Sequence, residues 1–380
     1  MAFIMSIPLP VPLNSHEVEE FGKELDEIYE ETISSLGSQD EKYIKRLIFV
    51  QRSMAFVSRL IIFAALAFLP NWWEHSLASW WAFYSIAGFG VSLLASAKIL
   101  ENMEISHNVL HGQWDWMRDP EINSTVWEWD HASPADQWKN SHNVIHHTWT
   151  NVLYKDHDVG YGLMRVTAKQ KWGPRYLLQP LYNIILCVFF EWGIGIQEMN
   201  WVKYFKGTDE QRAHYSFIFK RFRQKAFRQI MKDYVLWPLL SGPFFLYVAA
   251  ANALANILRN IWTNVIIFCG HFPEGVHIFS KEDIEGETRA YWYVRQLLGS
   301  ANIKGGKLFS IMTGNLNHQI EHHLFPDMPS NRYPKVAPRV KALCARYGLP
   351  YNSDTLRRQY GTTTWKIWRL AFPGGDSTNA

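Results

Sequence analysis

Polar and apolar residues fall into long blocks along this chain, and the blocks predict its elements. Residues 15–46 are heavily charged with a helical period, acids such as Glu19, Glu20 and Asp26 preceding Lys42, Lys45 and Arg46. They read as a solvated or interfacial lead-in helix. From Met54 to Pro70 runs an apolar stretch of about bilayer length, interrupted only by Arg59. A turn with Trp72, Trp73 and Glu74 follows, then a second apolar stretch from Leu77 to Leu100. Two spans joined by a tryptophan-bearing turn form a hairpin whose ends share one side, and Arg46 and Arg52 put that side in the cytosol. A second hairpin is predicted from Tyr234 to Gly270 as two short spans. Its Asn252, Asn256, Arg259 and Asn260 are expected to face protein or an aqueous cavity rather than lipid. Residues 203–232 before it carry Lys220, Arg221, Arg223, Lys225 and Arg228, a cytosolic signature. Tyr176 to Met199 is apolar enough to span, but one crossing there would put this basic segment on the wrong side. It is read as re-entrant, interfacial or a very short hairpin. From Leu324 the chain is polar and proline-punctuated, and Pro373 to Ala380 is expected to be disordered.

Composition narrows this picture. A chain of 380 residues, 48% hydrophobic, would ordinarily split into two or three soluble domains, yet no linker or composition break divides it. A mean hydropathy of only −0.17 also suits buried helices in a soluble protein. The two hairpins and 18 tryptophans, a residue that gathers at bilayer interfaces, favour a membrane protein. The expected architecture is therefore an all-α integral membrane protein with four spans. It divides into an N-terminal cytosolic or interfacial segment 1–50, a membrane domain 51–350 and a cytosolic tail 351–380. The net charge of +3 argues for no nucleic-acid partner. Cys187, Cys269 and Cys344 lie far apart with no CxxC, so neither a disulfide framework nor a thiolate metal site is indicated. Met1 to Asn14 lacks the basic start of a secretory signal.

The chemistry is carried by three histidine clusters. They read His107-Asn-Val-Leu-His111, His142-Asn-Val-Ile-His146-His147 and His318-Gln-Ile-Glu-His322-His323. Histidine is the commonest side-chain ligand for transition metals. Residues four apart on a helix stand on one face, so the first two of each cluster are expected to grip one ion. His147 and His323 turn about 100° away and reach toward a second. Continuing the helix of the second span lifts His107 about 10 Å beyond it. All three clusters then meet on one face just outside the membrane, and His271, at the lip of the second hairpin, becomes a ninth ligand candidate. His16, His75, His131, His157, His214 and His277 read as ordinary surface or core histidines. His318 is the weakest of the set, because Gln319 sits three residues before the His322 pair and competes for its place.

Metal-bound histidine usually gives its other ring nitrogen to a carboxylate or carbonyl. Glu104, Asp115, Asp119, Asp156, Asp158 and Glu321 are near enough in sequence to serve. Eight or nine histidines exceed the four ligands of one zinc and call for two ions. Iron is the expected metal, since two irons activate O2 and cut an unactivated C–H bond, whereas zinc is redox-inert. A carboxylate di-iron site would use two Glu-x-x-His pairs. Glu104-Ile-Ser-His107 fits, but Glu274-Gly-Val-His277 follows Pro273 and contains glycine, a poor helix. A membrane metal carrier would place its ligands near the bilayer midplane, not beyond the spans.

At these residues the chain resembles the membrane-bound histidine-box fatty-acid desaturase family over roughly residues 50–350. The resemblance is tightest around His107 to Trp116, Asp158 to Gly162, Cys269 to Pro273 and Gly314 to Asp327, and is closest to bacterial acyl-CoA Δ9 desaturases of the mycobacterial, stearoyl-CoA type. It implies four transmembrane helices in the bacterial inner membrane, and a cytosolic helical cap over a di-iron centre whose active site faces the cytoplasm. It further implies a kinked tunnel for a saturated acyl chain, its end near residues 85–95, and an O2-dependent reaction introducing a cis double bond between C9 and C10. His271 matches the family's extra histidine. Some relatives add an asparagine one turn earlier; that place is Ile267 here, with Asn264 the nearest substitute. The chain has no Cys-rich iron–sulfur spacing, no His-Pro-Gly-Gly haem signature and no complete nucleotide fingerprint, Gly160-Tyr-Gly162 and Gly193-Ile-Gly195 lacking a third glycine. The implied electron donor is thus a separate flavin and [2Fe–2S] reductase. The basic cluster Lys220 to Arg228 suits an acidic donor, the CoA phosphates or anionic lipid. Two enzyme alternatives stay open: a histidine-box hydroxylase of alkanes or lipids, and a desaturase of intact acyl lipids.

Overall fold

The computed structural model describes residues 13–70 and 77–374. The turn at Trp72, Trp73 and Glu74, His75, and most of the tail from Pro373 to Ala380 lie outside them. Within them helix is almost the only regular structure. Its one sheet is the parallel pair β1 (Asn302–Lys304) and β2 (Ser353–Thr355), in register Asn302 to Ser353.

The charged lead-in is two helices. Helix α1 (Ser15–Ser34) starts at a capping box in which Asn14 and Glu17 exchange side-chain to backbone bonds. Val18, Phe21, Leu25 and Ile28 recur at helical spacing and are buried. Gly22 is required on that face, because a Cβ there would sit 2.8 Å from Ala290 Cβ on the Arg289–Leu298 helix. Helix α2 (Ser38–Ala65) runs unbroken through residue 50 and continues as a 3-10 turn to Phe68. No glycine or proline interrupts it, and Ile44, Leu47 and Ile48 extend its buried stripe into the charged block. Phe49 and Phe56 point outward, 70% and 59% exposed. Helix α3 (Leu77–Ile99) packs along α2, so closely at Gly90 that a Cβ would meet Ile62 at 2.9 Å.

Among the described residues, three helical stretches are long and apolar enough to cross a membrane: Ser38–Phe68, Ala78–Leu110 and Gly242–His271. The second hairpin therefore differs from the expected pair of short spans. Its descending arm is one helix, Phe245–His271, about 40 Å long at 1.5 Å per residue. Its other arm is the end of the Asp209–Ile230 helix, continued by a π-helical turn, Met231–Leu236, to Trp237–Leu239. The arms join at Gly242, whose φ of 56° favours glycine. Lys232 and Asp233 lower the apolar character of the first arm, and their charges are neutralised inside. Lys98 Nζ lies 2.8 Å from Asp233 and 3.6 Å from Asp130. Lys232 pairs with Asp130, Arg59 approaches Asp233 at 3.8 Å, and Arg259 pairs with Glu191. Asn252 and Asn256 donate to Asp233, and Asn260 to the Val188 carbonyl. The polar residues expected at this depth to face protein do so.

Tyr176 to Met199 forms a 3-10 turn and two short helices, Gln179–Val188 and Phe190–Gly195. Ten residues rise only about 15 Å, half a hydrocarbon core, so neither helix crosses. At the far end, β2 pairs with β1, and Leu356–Arg369 packs on the Phe245–His271 helix. These residues pack on the rest of the protein through that pairing and that helix.

Candidate metal centre

Each histidine cluster is delivered by a departure from regular helix. The first follows a π-helical segment, Leu100–Ser106, and the second lies in another, Asn140–His146. Such segments are uncommon and recur at functional sites. The third begins after Asn315, at φ 55°, and Gly314, at φ 69°. A Cβ on Gly314 would stand 2.4 Å from the Met103 carbonyl, so this glycine lets the third cluster close against the helix carrying the first. His271 ends the Phe245–His271 helix.

The ring nitrogens gather into two main sets. His107, His111, His142 and His322 each offer one within 4.8 Å of the others, and so do His146, His271 and His323. His107 Nε2 and His142 Nε2 are 3.3 Å apart, the spacing of two ligands on one ion. The ring of His147 lies between the sets, 4.7 Å from His111, 4.8 Å from His322 and 4.5 Å from His323 between centroids. Spacing gives His142 and His146 the same ion, and they do lie together with Asp158 in a third group, while His142 also joins the first set and His146 the second.

Orphaned nitrogens show that this donor set fits a metal. His111 Nε2, His146 Nε2, His322 Nε2 and His323 Nε2, and both nitrogens of His147, are buried without a hydrogen-bond partner. Buried unpaired polar atoms are costly and need an explanation. A second nitrogen orients several of these rings. His146 Nδ1 lies 3.0 Å from Asp156, His323 Nδ1 3.0 Å from Gln296 Oε1, His322 Nδ1 3.3 Å from the Tyr333 hydroxyl, and His107 Nδ1 3.0 Å from Asn108 Oδ1. Burial holds His111, His142, His147, His322 and His323 well below the usual histidine range, and neighbouring rings push the same way. Neutral imidazoles with free lone pairs are what a metal requires. Burial also lowers His146, but the charges of Asp156 and Asp158 outweigh it and raise this ring to about 9.

His318 does not join them. It lies in the 3-10 turn Leu316–His318, before the Gln319–Leu324 helix begins, so it lacks the four-apart helical relation to His322; Glu321 is 3.9 Å from it. The Gln319 amide instead stands 3.2 Å from His271 Nε2, with Oε1 buried and unpartnered. Among the carboxylates, Asp156 touches a histidine directly, and Asp158 lies 3.6 Å from His146 and 3.8 Å from His142. Glu104 reaches His107 through Asn108, which donates to it at 3.3 Å; Tyr43, Asn315 and Ser330 also donate to Glu104. Burial raises Glu321 to about 7 despite bonds from Asn302 and Tyr351. Asp115 and Asp119 bind backbone and side chains of their own loop. Asn264 is buried with Nδ2 unpaired, and Ile267 packs in an apolar cluster. Asn108, Thr150, Asn151, Gln296 and Tyr333 escaped the sequence analysis. Only Asn108 had a signal, its place beside His107.

Comparison with known proteins agrees with this geometry. The fatty acid desaturase family model matches residues 93–355. The NADPH-dependent stearoyl-CoA 9-desaturase of Mycobacterium tuberculosis is 42% identical over 365 residues, covering 95% of this chain and 82% of the relative. An acyl-lipid (7-3)-desaturase of Rebecca salina is 28% identical over 59% of this chain and 52% of its own length. The sn-1 linoleoyl-lipid 6-desaturase of Synechocystis is 24% identical over 72% and 79%.

Proposed function

The chain belongs to the fatty acid desaturase family, and we propose that it is an O2-dependent acyl-CoA Δ9 desaturase of the stearoyl- or palmitoyl-CoA class. The supporting observation is the pair of histidine sets at the ends of the long apolar helices, joined to 42% identity with a stearoyl-CoA 9-desaturase over nearly the whole chain. In this reading a –CH2–CH2– unit, O2, two electrons and two protons give a cis –CH=CH– and two waters. Two irons, when bound, supply the O2 activation that breaks the C–H bonds.

The residues that would hold them are His107, His111, His142 and His322 for one, and His146, His271 and His323 for the other. His147 stands between, and Gln319 fills the place expected of His318. Burial keeps His111, His142, His322 and His323 neutral with nitrogen lone pairs available, and Asp156, Asn108, Tyr333 and Gln296 fix which nitrogen faces inward. The membrane reading is four spans, the fourth being the arm that ends at Trp237–Leu239, with the remaining helices forming a cytosolic cap in a bacterial inner membrane. Charge pairing of Lys232 and Asp233 supports counting that arm. Electrons would come from a separate reductase drawing on NADPH.

The test is product analysis in a desaturase-deficient host supplied with a reductase, with the double bond located by mass spectrometry. New cis-Δ9 acids support the proposal. An unchanged acid profile from membrane-inserted, iron-loaded protein would overturn it, and a hydroxylated product would assign a hydroxylase. The acyl-lipid alternative is favoured by the names of the more distant relatives. Purified enzyme with defined acyl-CoA separates it, since an acyl-lipid enzyme leaves that substrate untouched.

A further inference from the structure

The seven residues from Thr150 to Asp156 touch all three histidines of one set. Asp156 lies within 3.1 Å of His146 Nδ1 through both oxygens. Thr150 Oγ1 donates to the His146 carbonyl at 2.9 Å and lies 3.2 Å from His323 Nδ1. Asn151 Nδ2 donates to the His271 carbonyl at 3.2 Å and also to the carbonyls of His277 and Gly299. In contrast, His107 and His322 take their outer partners from Asn108 and Tyr333, and no hydrogen bond from the loop to the other set occurs among the described residues.

The loop is itself held rigidly. Asn151 sits at φ 57°, a conformation asparagine tolerates better than most residues. Its backbone N–H and that of Asp158 donate to Asp156 at 2.8 and 2.9 Å, aiming the carboxylate. On the far side, the Arg295 guanidinium donates to the carbonyls of Thr148 and Thr150, and Phe279 exchanges backbone bonds with Asn151 and Leu153. Such a loop transmits any displacement to three ligands together.

We infer that the Thr150–Asp156 loop is a positioning device for one metal position alone, orienting His146, His271 and His323 while the other position is set from elsewhere. This rests on the two-ion reading above. It makes Asp156 and Thr150 positioning residues whose loss is felt at one ion. Outer partners of metal-bound histidine are typically worth about 10–100-fold in metal affinity.

The experiment uses the full chain in detergent micelles, produced with isotopically enriched iron. Iron per polypeptide and the Mössbauer spectrum are compared for wild type, Asp156→Asn, Thr150→Val and, as reciprocal control, Tyr333→Phe. The first two keep side-chain shape, so either suffices should the other fail to fold. The expected result is two irons in wild type. Asp156→Asn and Thr150→Val then weaken or shift one doublet, with affinity down about 10–100-fold at that site. Tyr333→Phe shifts the other. Equal loss at both sites, one doublet shared by all three variants, or unchanged spectra would overturn the inference while leaving the two-ion reading intact. A wild type that holds a single iron would overturn both.

Discussion

Two buried polar assemblies stand close together in this molecule and are built on opposite terms. In the histidine centre, ring nitrogens face one another with no hydrogen on offer to most of them. In the lattice of Arg59, Lys98, Asp130, Glu191, Lys232, Asp233 and Arg259, every charge has an opposite charge within 4 Å. The lattice is closed, whereas the centre is open. A buried group without a partner costs free energy, and a chain that keeps seven histidines in two such sets is shaped for something that binds there. The lattice shows what buried polarity looks like when its purpose is to hold helices together.

The largest effect should come from the open assembly. His322→Ala removes a donor from the first set, so desaturation should fall at least about 100-fold, with iron content reduced and membrane insertion intact. Product formation and iron per chain check both halves, and full activity with full iron would remove His322 from the centre. Next comes the closed assembly. Lys98→Met leaves Asp233 and Asp130 short of a cation and should destabilise the protein by about 3–5 kcal/mol, read by thermal unfolding in detergent. Iron per folded chain should stay at the wild-type value; a selective loss of iron would erase the distinction between the two regions. Adding Asp233→Asn should return part of that stability, since the partner is then neutral too.

Within the third cluster the comparison sharpens to adjacent residues. Gln319→Ala should weaken iron binding about 10-fold or more, because the amide stands against His271. The smallest effect is expected for His318→Ala, within about twofold in activity and iron, because His318 joins neither histidine set and is only partly buried. The reverse order in a metal titration would return His318 to the centre.

The first hairpin, the long arm of the second, the three clusters and the place of His271 beside them were legible in the chain, because apolar length and histidine spacing are local properties. What escaped depended on departures from regular helix. No periodicity of 3.6 anticipates the π-helical turn at Asn140–His146, where His142 and His146 share a group with Asp158 and each also joins a different set. His318 fell outside because the helix begins one residue after it. Asn151 carries no mark in sequence of a left-handed residue joining three carbonyls from distant segments. The pairing of Lys232 with Asp130 and of Asp233 with Lys98 joins segments far apart in the chain and carries no local mark in the sequence.

The order of ligands along the chain also bears on biogenesis. One set draws on His107 and His322 and the other on His146 and His323, so each waits for the third cluster. A nascent polypeptide must place the long apolar helices Ser38–Phe68, Ala78–Leu110 and Gly242–His271 before either set can close. On the proposed assignment, metallation waits until the third cluster has been synthesised, and a truncated product that stops before His322 would carry histidines but no finished centre.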